Sequence, residues 1–199
     1  MNILFTRFPL ESLFGGAEVQ TLSLMKSLIV RGHSVSFVGS CPVLLVEGEK
    51  IQVKTSQIHI GNPPVTKWDA FSFVWRKRAM KKALEQMMNN MSSMPDIICM
   101  VSLSEKILLT PFALRKGIKV LWIEHDSVGR WLRGNPWLST ICKLSGSVTT
   151  VCVSELSAEM YRSMGYKNVQ CIPNGVAPPT YRATPSSSTS ITLGCIARL

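Results

Sequence analysis

Two kinds of segment alternate along this chain. Short, almost unbroken apolar runs occur at 2–8 (NILFTRF), 34–40 (SVSFVGS), 96–102 (DIICMVS), 119–126 (KVLWIEHD), 149–154 (TTVCVS) and 169–173 (VQCIP). Their length and their content of Ile, Val, Leu and Phe predict strands. A further run, 51–58 (IQVKTSQI), alternates polar and apolar positions and predicts one more. The intervening segments instead carry apolar residues at helical spacing. Over 16–31 these are Val19, Leu22, Met25, Leu28 and Ile29; over 70–92, Met80, Leu84, Met87 and Met91 form a stripe. Helices are also expected over 106–117 and 155–164. Gly32, Gly117 and Gly165 stop three of the helices.

Near-continuous apolar strands separated by amphipathic helices imply a parallel sheet covered on both faces, an open, doubly wound, Rossmann-like α/β domain. Ligands of such sheets bind in the crevice beyond the carboxyl ends of the strands. The residues that follow strands therefore carry the functional interest: Gly15 and Gly16, Ser102, His125 with Asp126, and Ser154 with Glu155. His33 stands at the entry of a strand, the opposite end, and is read as structural. Asn174-Gly175 reads as a turn. Composition shifts after Pro173, because 174–190 is rich in Pro, Ser and Thr, as a linker is. The apolar run then resumes at 191–199 (ITLGCIARL). The expected organisation is one domain over 1–173, a linker over 174–190, and the first strand of a second domain over 191–199.

Composition narrows the class. Apolar residues make up 46% of the 199 positions, enough to bury a sizeable core. No run reaches the roughly 18 to 20 apolar residues that span a bilayer. The start, MNILFTRFPLE, has no basic segment ahead of a long apolar one, so no signal peptide is expected and a cytoplasmic location follows. The six cysteines include four in strand-like contexts (Cys99, Cys152, Cys171, Cys195), and there is no C-x-x-C pair. Buried, reduced thiols and no zinc site are expected.

The net charge of +10, from 22 basic and 12 acidic residues, favours an anionic partner. Signatures of nucleic-acid modules are absent, which leaves a phosphorylated ligand or an acidic membrane surface. Lys77, Arg78, Lys81 and Lys82 cluster on the helix of 70–92, beside Trp68, Phe71 and Trp75. They read either as a solvated face or as a contact with an anionic membrane.

The glycine pair in SLFGGAEVQTL (12–22) lies between the first strand and the first helix. A P-loop would continue with lysine and a hydroxyl residue, but Ala17 and Glu18 follow. A dinucleotide fingerprint needs three spaced glycines and an acid ending the second strand; that strand ends FVGSCP. Two readings remain: backbone approaching a phosphate beside a helix N-terminus, or a tight turn that only glycine tolerates. Glu18 in the first helical turn is either a favourable partner of the helix dipole or part of the cleft.

The segment FGGAEVQTLSLMKSLIVRGHSVSFVG resembles the opening of retaining glycosyltransferases of the GT-B fold, family 4. The resemblance continues through WIEHD, VCVSE, VQCIPNGV and LGCIARL, and is weakest over 41–95. It implies that the chain is the acceptor-side domain of an enzyme moving a sugar from a nucleotide-sugar to an acceptor hydroxyl with retention of configuration. By the resemblance, Gly15 and Gly16 offer backbone N–H groups to the donor diphosphate and Arg198 grips the same group. The resemblance also places His125 at the reacting centre; Glu18, Asp126, Ser154 and Glu155 are cleft candidates from their positions after strands, with Glu155 read equally as a cap of the following helix. No metal cofactor is implied, and no D-x-D run is present. The chain departs from the family pattern at its end, where the donor-gripping glutamate pair and the lysine after the arginine strand are missing. The 1–199 chain is therefore expected to be inactive alone, with the missing carboxyl-terminal donor domain as its partner. A glycan or lipid-linked acceptor, cell-surface polysaccharide or lipopolysaccharide assembly, and peripheral attachment to the inner face of the membrane are the further implications. The alternative is a non-catalytic α/β module that binds a phosphorylated ligand or a membrane.

Overall fold

The computed structural model describes residues 1–10, 14–125 and 130–175. Asp126, Arg198, most of the expected linker and the final apolar run lie outside the described residues.

Seven parallel strands form one sheet: β1 (Asn2–Arg7), β2 (Ser34–Gly39), β3 (Lys54–Gln57), β4 (Ile97–Met100), β5 (Lys119–Glu124), β6 (Thr149–Cys152) and β7 (Val169–Cys171). Their spatial order is β3-β2-β1-β4-β5-β6-β7. The chain winds one way from β1 to β3, then returns to add β4 on the other side of β1. Ile3 pairs with Val35 on one side and with Ile97 on the other. The switch point, where connections diverge and a crevice opens at the carboxyl ends, is thus between β1 and β4.

The helices are α1 (Gly16–Val30), α2 (Pro42–Lys50), α3 (Lys67–Asn89), α4 (Leu103–Leu108), α5 (Thr110–Arg115), α6 (Arg130–Arg133), α7 (Leu138–Ser145) and α8 (Glu155–Ser163). Several begin the same way. Thr66 accepts the Asp69 N–H ahead of α3, Ser154 accepts the Ser157 N–H ahead of α8, and Glu105 reaches back to the Ser102 N–H at α4. Each satisfies a donor that the first helical turn leaves unpaired. Gly32 and Gly117, both at positive φ, end α1 and α5 as the sequence predicts.

Alternate residues of each strand feed two cores. Leu4, Ile98, Met100, Val120 and Trp122 face α3, α4, α5, α7 and α8, whereas Ile3, Phe5, Val35, Phe37 and Cys99 face α1 and α2. Both faces carry helices, but unequally. Among the described residues the second core draws its helical side chains from α1 and α2 alone. A cavity of about 450 Å³ opens there against α1, floored by Ile97, Cys99, Leu121, Ile123 and Val151.

Several element boundaries differ from the sequence expectation. The expected strand at 51–58 contracts to 54–57 because α2 occupies the preceding segment, its Pro42 pre-set for the first helical turn. The expected helix over 106–117 is two short helices, with Thr110 starting the second and Pro111 just inside it. α7 has no counterpart in the expectation. The helix expected over 70–92 spans 67–89. Cys41, Cys99 and Cys152 are buried and form no disulfide among the described residues. Burial pushes the Cys152 thiol up to about 12, the Glu124 carboxylate beside it adding to the shift. Such a thiol stays protonated and inert.

Candidate functional site

β1 ends at Arg7 and the chain re-enters regular structure at Gly15, the N-cap of α1. Gly15 has extended backbone (φ −129°, ψ −174°), which any residue adopts. Gly16 is not at positive φ, and a Cβ built on it meets nothing within 4 Å. Gly39, at the end of β2, is the contrast: a Cβ there would collide with the Arg7 carbonyl oxygen. Close packing thus demands Gly39, whereas neither φ nor crowding among the described residues demands Gly16. Among the described residues nothing crowds Gly16, which stands beside the first helical N–H groups. Those groups have no intrahelical partners and favour negative charge.

Glu18 is 3% exposed. Its carboxylate accepts the Gly15 N–H (3.1 Å) and pairs with the Arg7 guanidinium. Arg7, a charged residue ending an apolar strand, is a site component that the sequence reading passed over, and so is Thr21. The stripe of α1 that turns inward is Glu18, Thr21 and Met25, while Val19 is 44% exposed, contrary to the expected apolar face. The first turns of α1 overhang the carboxyl edge of the sheet, where the surroundings are polar.

His125 directly follows β5 and lies half-buried across from α1. Its Nε2 is 3.4 Å from the Thr21 hydroxyl, whose own hydrogen is donated to the Ala17 carbonyl at 2.7 Å. A hydroxyl has one hydrogen, so Nε2–H is the donor to Thr21. His125, Thr21 and Gln20 stand at the polar rim of the cavity, and Gln20 also donates to the Gly175 carbonyl (3.2 Å).

Beneath His125 the end of β5 is anchored. Lys106, 2% exposed, pairs with Glu124 at 2.8 Å and donates to the Ile123 carbonyl at 3.2 Å. Tyr161 lies by the same carboxylate, and burial, followed by the Glu124 charge, raises its pKa. Next to Lys106, Glu105 is fully buried. Its Oε1 accepts the Val101 and Ser102 N–H groups, and Oε2 has no partner among the described residues. Burial raises this carboxyl to about 8.

The remaining expected residues take local duties. Ser102 accepts the Phe8 N–H (2.8 Å), and Ser154 caps α8. Glu155 is exposed and turned along α8 to Arg162 at 2.6 Å, which lowers its pKa. The basic cluster on α3 is split. Lys77 lies over the Trp137 ring (4.9 Å) and Lys81 approaches Glu85 (3.8 Å), while Arg78 and Lys82 project into solvent. Asp126 and Arg198 lie outside the described residues. Among the described residues no group of three or more His, Cys, Asp or Glu side chains could hold a metal.

Rossmann-like sheets bind ligands beyond the carboxyl ends of their strands, the edge at which the N-terminus of α1 and His125 lie. Residues 14–178 match the model of Glycosyltransferase Family 4, and the chain belongs to that family. No curated protein sequence matches it. Solved structures share its fold. Anabaena Alr3699/HepE, crystallised with UDP and with UDP-glucose, superposes with TM-scores of 0.63 and 0.62 at 14% identity, over 88% of this chain and 44% of that one. A glycosyltransferase from Rickettsia africae gives 0.56 at 16% identity over 88% and 43%, and Acinetobacter baumannii MurG 0.51 at 14% over 76% and 41%. The chain spans less than half the length of these structures. Its fold class is the Rossmann-like α/β domain of GT-B glycosyltransferases.

Proposed function

We propose that this chain forms the acceptor-side domain of a retaining glycosyltransferase, which moves a sugar from a nucleotide-sugar to an acceptor hydroxyl. The observation that carries the reading is Gly16: a glycine that nothing among the described residues requires, at a helix N-terminus, at the carboxyl edge of the sheet, 109 positions before a histidine that faces the same helix. The open backbone there receives the donor diphosphate. The N–H groups and the positive end of the helix dipole offset charge as it develops on the leaving diphosphate. UDP and UDP-glucose bound to Alr3699/HepE support a nucleotide-sugar as donor.

His125 is held from below by the Lys106–Glu124 anchor and from the side by Thr21, so its ring enters the crevice in one tautomer. In this reading it contacts the reacting sugar and acceptor. A second domain with the donor-gripping groups, Arg198 on its first strand, closes over the crevice. The product enters cell-surface polysaccharide or lipopolysaccharide assembly.

The test is transfer by the complete enzyme from a panel of UDP- and GDP-sugars. His125→Ala is expected to lower turnover by a factor on the order of 10² or more with an unchanged melting temperature. Normal turnover in that variant removes His125 from the reaction. NMR of the first-formed product reports the anomer, and inversion overturns the retaining assignment.

A further inference from the structure

α3 carries two stripes with opposite fates. Ala70, Phe73, Met80, Leu84 and Met88 are buried against the sheet. The stripe on the far side runs Trp68, Phe71, Trp75, Arg78 and Lys82, at spacings of three and four that keep successive residues in line. Its first two turns are aromatic and strongly exposed: Trp68 at 83%, Phe71 at 61% and Trp75 at 65%. The Phe71 and Trp75 rings meet edge to face, centroids 4.8 Å apart, so they form one ridge. The next two turns of the same stripe are cationic.

Acids near the helix are already engaged. Asp69 holds the cap with Thr66, and Glu85 sits between Lys81 and Arg115. Among the described residues Arg78 and Lys82 have no acidic partner. An aromatic ridge continued by free cations matches a bilayer interface, with rings at the headgroup level and cations on lipid phosphates. A parallel second copy would set Arg78 and Lys82 against themselves.

The ridge is also at the right end of the molecule. Because all strands are parallel, the start of α3 lies at the same carboxyl edge as Gly16 and His125. Asn135 donates to the Pro64 carbonyl (2.7 Å) and Trp137 to the Ala70 carbonyl (3.2 Å), tying the chain beyond β5 to the first turn of α3.

We propose that α3 docks this protein on an anionic lipid bilayer and sets the crevice at the lipid surface. Resting on the glycosyltransferase reading above, the acceptor is then a lipid-anchored one, presented from the bilayer.

The docking is tested with the 1–199 chain and vesicles of phosphatidylcholine with or without phosphatidylglycerol, followed by co-sedimentation and by quenching of tryptophan fluorescence with brominated lipid. Wild type is expected to bind the anionic vesicles at low salt and to be released by high salt. Trp68→Ser/Phe71→Ser/Trp75→Ser, all at exposed positions, is expected to lower partitioning at least about tenfold with an unchanged circular dichroism spectrum. Arg78→Gln/Lys82→Gln should lower it by about fivefold per charge. Wild type that ignores anionic vesicles at low salt overturns the docking. So does a triple variant that binds equally well, or one whose only change is the loss of a dimer in sedimentation velocity. Lipid binding needs no sugar transfer, so either reading can fail while the other stands. Within the complete enzyme, equal kcat/KM for a water-soluble acceptor and its lipid-anchored form overturns the acceptor class alone.

Discussion

Replacing Gly16 by alanine separates a glycine kept for the fold from one kept for a ligand. Gly16 is the first residue of α1, it is not at positive φ, and a Cβ there meets nothing within 4 Å. Among the described residues alanine therefore incurs no steric cost, and it restricts the unfolded chain, which stabilises by about 0.4–1 kcal/mol. For a protein of this size the melting temperature should rise by roughly 1–4 °C. In the complete enzyme the added methyl stands where the donor diphosphate approaches the helix N-terminus. A hydrogen bond to a charged group is worth about 1.5–3 kcal/mol, so its loss should reduce donor kcat/KM by about 10- to 150-fold. Thermal unfolding by circular dichroism gives the first quantity, and initial rates at varied nucleotide-sugar give the second. A melting temperature lowered by several degrees would show that the fold needs this glycine. Unchanged donor kinetics would show that no diphosphate approaches it. Either result refutes the reasoning.

Three further outcomes follow from the buried charges and the extent of the chain. Lys106→Met leaves the Glu124 carboxylate without its buried partner and is expected to cost about 3–5 kcal/mol in urea unfolding; a loss under 1 kcal/mol would mean the pair is dispensable. Glu105 has its folded pKa raised from 4.5 to about 8, so between those values the folded state holds a proton that the unfolded state releases. Stability should therefore fall as pH rises from about 5 to 8, at up to about 1.4 kcal/mol per pH unit, and Glu105→Gln should flatten that slope; an unchanged slope assigns it elsewhere. The 1–199 chain alone should show no appreciable calorimetric binding of UDP- or GDP-sugars, and the added donor-side domain should restore it. Micromolar binding by the isolated chain would place the whole donor site in this domain.

The sequence by itself determined the architecture. Apolar runs too continuous for one-faced strands, separated by helical spacing, allow little but a parallel doubly wound sheet, and the seven strands formed where those runs lie. It also marked Gly15, Gly16 and His125, because residues that follow strands in such a sheet must border the crevice. What it could not determine depended on neighbours distant in the chain. Glu18 read equally well as a dipole partner or a cleft residue, and the nearby Arg7 guanidinium, at the end of β1, decided how its carboxylate is used. Thr21 looked like an ordinary helix position until β5 brought His125 within 3.4 Å of it. The four basic residues of α3 formed one cluster in sequence. Trp137, 60 positions beyond Lys77, drew that lysine inward and left Arg78 and Lys82 in line with the exposed rings. Periodicity reports which side of an element is apolar, but the identity of what lies opposite is set by how the sheet brings remote segments together.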